Sequence, residues 1–223
     1  MPWLYRASQV LLTPPVRWFW MLRVFGAENV PATGPVLLAS NHTSYVDPWF
    51  LGGVFPRGPI RFLINDSWFE RSRGWRFVFE ANGVIPAVTG DPIETVRRVT
   101  AALAEGAVVG VFPEGRISRD GRMSRGRLGV GWMAAASGAP VVPCAVRGAF
   151  DSIPRHKRLP RRRPVHVHIG EPIRFPGAPV ARPDSSEVQK FMGDLMRTIR
   201  TLAGHEDALP ESALPLDAGE ISR

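Results

Sequence analysis

The chain has 223 residues, enough for one domain with a substantial core and short for two. Apolar residues make up 44% and charged residues 22%, an ordinary globular balance, and the net charge of +8 is nearly all arginine because Lys157 and Lys190 are the only lysines. A single cysteine, Cys144, excludes intramolecular disulfides and argues against a zinc–thiolate cluster, while the basic balance suits anionic lipid, nucleic acid or a phosphorylated substrate without choosing among them.

Residues 1–28 mix aromatic and aliphatic side chains with Arg6, Arg17 and Arg23, and Pro14 and Pro15 divide the stretch into two short segments. This composition predicts an amphipathic helical hairpin at a membrane interface, with a hairpin closing over the protein's own core as the plainer reading. No signal peptide is read, and no apolar run reaches the length of a spanning helix.

GPVLLASN (34–41) reads as a buried strand ending in a polar loop, with a helix following from Pro48. IRFLIN (60–65) predicts a second strand, SWFERSRGWRFVFEAN a helical segment, and GVIPAV (83–88) a short third strand. In DPIETVRRVTAALAEG, Asp91 caps a helix, Pro92 takes its first position and Gly106 stops it. AVVGVFPEG is an apolar strand broken at Pro113; RLGVGWMAAASG is a small-residue helix; APVVPCAV is a buried strand, where Cys144 acts as a small hydrophobe. PVHVHIGEPI alternates as a strand with one exposed face, and SSEVQKFMGDLMRTIRTL is an amphipathic helix. The order predicts an α/β fold: a mixed, largely buried sheet flanked by helices, with the N-terminal hairpin appended. The domain spans 29–204, and 205–223 form a flexible tail.

Sites in such folds gather in loops at the carboxyl ends of strands, and two loops stand out. In SNHTSYVDP, Pro48 at a first helical position makes Asp47 the cap and leaves His42 in the preceding turn. The carboxylate then accepts from the histidine Nδ1–H, fixes the tautomer, and leaves Nε2 as a base. A rival reading, with Ser44 as cap, puts Pro48 where a helical N–H is wanted and ranks lower. No G-x-S-x-G elbow and no H-E-x-x-H are present, so His42 activates a substrate group more plausibly than a protein nucleophile or a metal. His166 and His168 share a strand face without an evident third ligand. The second loop, FPEGRISRDGR, offers Glu114, a turn at Gly115, and Arg116, Arg119 and Arg122 as charge for an anion. The two loops together suggest a hydroxyl-bearing phosphorylated substrate.

NHTSYVD (41–47) matches an NH-x4-D motif and FPEG (112–115) an FPEG motif, with GVIP and APVVP in the matching order. On these residues the chain resembles the PlsC-type glycerolipid acyltransferases, 1-acylglycerol-3-phosphate acyltransferases and relatives, over roughly residues 30–170 by motif order. The resemblance implies that His42 takes the proton from an acceptor hydroxyl attacking an acyl thioester, acyl-CoA or acyl-carrier protein, while Asp47 orients it. It implies substrate binding by Asn41, Glu114, Gly115 and an arginine, Arg116 or Arg119, and no cofactor beyond the thioester co-substrate. It also implies a peripheral enzyme on the cytoplasmic side of the cell membrane, contacting an anionic surface and a lysophospholipid.

Two departures bear on the acceptor. FPEGTRS reads FPEGRIS, with Ile117 where the family's arginine stands, and GVIPAVTGD lacks the arginine expected after it. Phosphatidic acid remains the expected product, with another lyso-phospholipid or a glycolipid as alternative acceptor. A hydrolase and a non-catalytic membrane-binding protein are the rival classes. No nucleic-acid-binding module is found, so that partner is not expected. The run RHKRLPRRR (155–163) suits headgroups or coenzyme A phosphates as well as it suits a solvated loop.

Overall fold

The computed structural model describes residues 11, 13–70, 72–153 and 159–205. Residues 13–19 are helical (α1) and precede β1 (Arg23–Phe25), a one-turn 3-10 segment and β2 (Val36–Ser40). Then follow α2 (Asp47–Val54), β3 (Ile60–Asn65), α3 (Ser67–Glu70), α4 (Arg73–Ala81), β4 (Ile85–Ala87), α5 (Pro92–Ala104) and β5 (Val108–Val111). The chain continues through α6 (Gly129–Ser137), β6 (Val141–Arg147), α7 (Ala149–Ser152), β7 (His166–Ile169) and α8 (Ser185–Ala203).

The seven strands form one sheet in the order β1-β7-β6-β2-β5-β3-β4. From β6 to β4 neighbours run parallel; β7 is antiparallel to β6, and β1 is parallel to β7. The expected mixed α/β architecture is therefore the observed one. β2 lies centrally and every residue in it is buried, because both its faces are covered. Leu37 and Ala39 join the core beneath α5, α6 and α8, whereas Val36 and Leu38 join the core beneath α2.

Local chemistry sets the helix limits. The Asp91 carboxylate accepts from Glu94 N–H at 2.8 Å, Pro92 opens α5, and Gly106 leaves it at a φ of +79°. Asp184 caps α8 in the same way through Ser186 N–H at 2.6 Å. In β5, a Cβ on Gly110 would lie 2.6 Å from two ring carbons of Phe62, its partner across β3, so glycine alone leaves room for that ring.

The N-terminal expectation needs correction. Pro14 and Pro15 lie within the described helical stretch 13–19 instead of breaking it; the fixed φ of proline is already helical. Residues 23–25, assigned to the amphipathic segment, instead pair with β7, Arg23 opposite His166 and Phe25 opposite His168. Leu22 is buried in the α2-side core, and Trp20 packs edge-on against Phe50 at 5.3 Å. The segment thus closes over the core on one side, while Leu11, Trp18 and Met21 stay exposed. The first arm of the predicted hairpin and the tail beyond 205 lie outside the described residues.

Candidate active site

The site begins with sheet register. β2 and β5 are parallel neighbours with Ala39 opposite Val111. Carried past the strand ends, that register sets His42 opposite Glu114, so two loops far apart in sequence leave the sheet side by side. The His42 N–H donates to Glu114 Oε1 at 3.0 Å, and the Ser118 N–H donates to the His42 carbonyl at 2.8 Å.

His42 and Asp47 meet as the sequence predicts, by a slightly different route. Nδ1 lies 2.9 Å from Asp47 Oδ2; the carboxylate only accepts, so Nδ1 carries the proton and Nε2 presents a lone pair. Asp47 is the first residue of α2 rather than its cap, and Val46 in the cap position supplies no side-chain bond. The Asp47 carboxylate turns back instead, and Oδ2 accepts from Thr43 N–H at 2.7 Å and Ser44 N–H at 2.8 Å. The loop is thereby wound around the carboxylate, which brings the His42 ring to it. Asp47 is fully buried, and burial pushes its carboxyl above the ordinary range, against the bonds from His42, Ser44 and Thr43 that favour the anion. The His42 ring is 15% exposed. It stacks on Phe112 at 3.9 Å between centroids, and Phe112 stacks in turn on Phe62 at 5.9 Å. Its Nε2 has no hydrogen-bond partner among the described residues.

Three residues expected to bind substrate make hydrogen bonds within the protein. Asn41 is buried, and its amide receives Val146 N–H at 2.8 Å and donates to Val146 C=O at 3.1 Å. It works as an extra rung between β2 and β6. Glu114 is 3% exposed; besides His42 N–H at Oε1, its Oε2 accepts Ser124 N–H at 2.7 Å and Ser124 O–H at 2.9 Å. A side chain so bonded ties the loops of His42 and Ser124 to its own. Burial raises its pKa, opposed chiefly by the bonds from Ser124 and His42. Gly115 adopts a φ of +64°, and its N–H donates to Phe112 C=O at 2.9 Å, so that donor is not free for an anion. A Cβ there would lie 2.8 Å from Nε of Arg127, whose side chain covers the turn.

Arg116 and Arg119 are exposed, with no hydrogen-bond or ion-pair partner among the described residues, as an arginine awaiting an anion would be. Phe112, Ser118, Ser124, Arg127 and the buried Arg200 are further parts of the site that sequence reasoning missed. Of these only Arg200 left a clear trace: it follows Met196 by four residues, on the apolar stripe of α8. His166 and His168 stand on β7, two strands from β2, where Phe25 of the edge strand stacks on His168 at 4.8 Å. Cys144 is buried, and burial lifts its thiol well above the usual range, which leaves it poor as a nucleophile.

A histidine whose Nδ1 meets a buried carboxylate at 2.9 Å, at the carboxyl ends of parallel strands, is an arrangement chemically able to activate a hydroxyl or water. The sequence profile of the family described as Acyltransferase matches residues 21–147, more than half of the chain. The chain belongs to that family, in its PlsC-type branch. It is 30% identical over 141 residues to a chloroplastic 1-acyl-sn-glycerol-3-phosphate acyltransferase, LPAT1, of Arabidopsis thaliana, covering 61% of this chain and 38% of the relative. With the chloroplastic BAT2 enzyme of Brassica napus it shares 30% identity over 70% of this chain and 46% of the relative. The 1-acyl-sn-glycerol-3-phosphate acyltransferase of Bacillus subtilis (strain 168) is 28% identical, over 68% and 73% respectively. The chain thus spans less than half the length of the two chloroplast relatives. The crystal structure of the 1-acyl-sn-glycerophosphate (LPA) acyltransferase PlsC from Thermotoga maritima superposes with a TM-score of 0.66 at 19% identity, covering 92% of this chain and 84% of that one, a likeness of fold.

Proposed function

We propose that the protein is an O-acyltransferase that moves a fatty acyl group from a thioester, acyl-CoA or acyl-carrier protein, to a free hydroxyl of a lyso-glycerophospholipid. The acceptor the relatives' names point to is 1-acylglycerol-3-phosphate, giving phosphatidic acid. The observation that carries the reading is the His42–Asp47 pair, with Nδ1 held at 2.9 Å and Nε2 without a partner among the described residues. Nε2 takes the hydroxyl proton as the oxygen adds to the thioester carbonyl. Collapse of the tetrahedral intermediate expels the thiolate, and the imidazolium returns its proton to sulfur. Asp47 stabilises the imidazolium between those steps, and no acyl-enzyme is needed.

The acceptor's anion falls to the arginines of the 116–127 stretch, Arg116, Arg119 and Arg127 foremost. The place where the family's other arginine is expected is occupied differently: Thr89, just after GVIPAV, donates through its N–H and hydroxyl to the Asp66 carboxylate at 2.9 and 2.6 Å. That carboxylate is hostile to phosphate, which keeps other lyso-phospholipids and glycolipids in the acceptor screen. Exposed Leu11, Trp18 and Met21 beside Arg17, Arg23 and Arg162 support peripheral attachment to an anionic membrane. Among the described residues no helix is long and apolar enough to cross one.

Purified protein with labelled acyl-CoA and a panel of lysolipids tests the reading. Acylated lipid is the expected product, and His42→Ala should slow its formation by about 10²-fold or more. Free fatty acid without acylated lipid would make the protein a hydrolase. Transfer surviving in His42→Ala at the wild-type rate would overturn the mechanism.

A further inference from the structure

Arg200 is the only buried lysine or arginine among the described residues, 6% exposed in the last turn of α8. The stripe that carries it, with Met192 and Met196, packs against the loop that holds Ser124: a Cβ on Gly126 would lie 2.7 Å from Met196 Sδ. The guanidinium therefore arrives behind Ser124, and Nη2 approaches the Ser124 carbonyl at 3.5 Å. That long contact is its only hydrogen bond among the described residues. A charge taken out of water needs more compensation than this. Ser124 also serves the Glu114 carboxylate, which receives its N–H and O–H. A buried arginine and a buried carboxyl thus both contact one serine.

We propose that Arg200 is a positioning residue: its charge holds Glu114 as an anion, and that anion fixes the main chain of the catalytic His42. As a carboxylate, Glu114 accepts three bonds, one from His42 N–H and two from Ser124. Protonated, it would turn a donor toward one of those donors and release a loop. Burial favours the protonated form, and attraction to Glu114 is the one influence that raises Arg200 against its own burial. The charged groups that interact with Glu114 are His42 from the loop after β2 and Arg200 from α8; the Arg127 guanidinium packs on neighbouring Gly115. Of these, Arg200 alone is removed from solvent.

The inference rests on His42 as the base, so its test has one readout with catalysis and one without. Rate against pH is measured for wild type, Arg200→Met and Arg200→Lys, each also in a Glu114→Gln background. In Arg200→Met the acid limb should move up by about one pH unit, roughly tenfold in rate on that limb, with near recovery on the alkaline side. Arg200→Lys should keep the wild-type profile, and in the Glu114→Gln background Arg200→Met should leave the limb in place. A loss uniform across pH, or a shift that persists without Glu114, overturns the proposal. Thermal midpoints across the same range read the pair without any turnover. A Glu114 carboxyl raised further by loss of Arg200 penalises folding above its pKa and is relieved below it. The midpoint gap between wild type and Arg200→Met should therefore narrow toward acid, and stay constant in the Glu114→Gln background. If wild type transfers no acyl group yet the gap narrows, the function is wrong and the Arg200–Glu114 pair stands; a gap insensitive to pH sinks the pair.

Discussion

Asp47 shows how much one atom can be asked to do. Its Oδ2 winds the loop through Thr43 and Ser44 and at the same time orients His42. Asp47→Asn keeps an oxygen acceptor for those bonds but removes the charge that the imidazolium meets. kcat should fall by about 10²- to 10⁴-fold with KM little changed, and steady-state kinetics read this directly. Stability should hold, because a neutral amide is cheaper to bury than a carboxylate. Asp47→Ala differs: it orphans two buried N–H groups at about 1–3 kcal/mol each, visible as a lowered denaturation midpoint. His42 and Asp47 could be paired from the sequence because five residues of one loop keep them close, although Pro48 predicts Asp47 as the cap and it is the first helical residue. Asn41 and Glu114 could not be assigned their roles that way. Each is a polar motif residue at a strand end, and only the neighbouring strand, or a serine on another loop, reveals that its polar atoms are already spent.

At the scale of elements, the continuous apolar runs of β2, β5 and β6 and the capped helices α5 and α8 follow from local pattern and propensity, and the structure has them where the sequence places them. β1 carried no such pattern: Arg23–Phe25 becomes a strand only because β7 offers it an edge. The aromatic stack is likewise invisible to periodicity, since Phe62, Phe112 and His42 come from three separate segments. Gly110 is the element that lets that stack form. Gly110→Ala should push the Phe62 ring off β5 and, through Phe112, tilt the His42 ring away from its hydrogen bond. The expected result is a destabilisation of about 1–3 kcal/mol from overpacking, together with a loss of kcat that exceeds the loss of folded protein. Chemical denaturation beside single-turnover rates separates the two.

For the whole molecule, the arginine excess and the exposed Leu11, Trp18 and Met21 at one edge predict sedimentation with anionic vesicles. Trp18 is 69% exposed, with Arg162 5.0 Å from its ring. Trp18→Ser should weaken vesicle binding by about 1–3 kcal/mol, the value of one large apolar side chain. Binding should also fall as salt rises, through screening of the arginines. Equal sedimentation with neutral and anionic lipid would remove the electrostatic part. The pairing of β2 with β5 has a further consequence. Between them the chain makes an excursion through α2, β3, α3, α4, β4 and α5 before returning to the adjacent strand. The gap between the loops of His42 and Glu114 is a lattice spacing of the sheet, about 4.8 Å, and owes nothing to the length of the detour. Whatever is lengthened, shortened or replaced in the outer part of that detour, around α3 and α4, can re-shape what the protein admits while the proposed acid–base pair keeps its address.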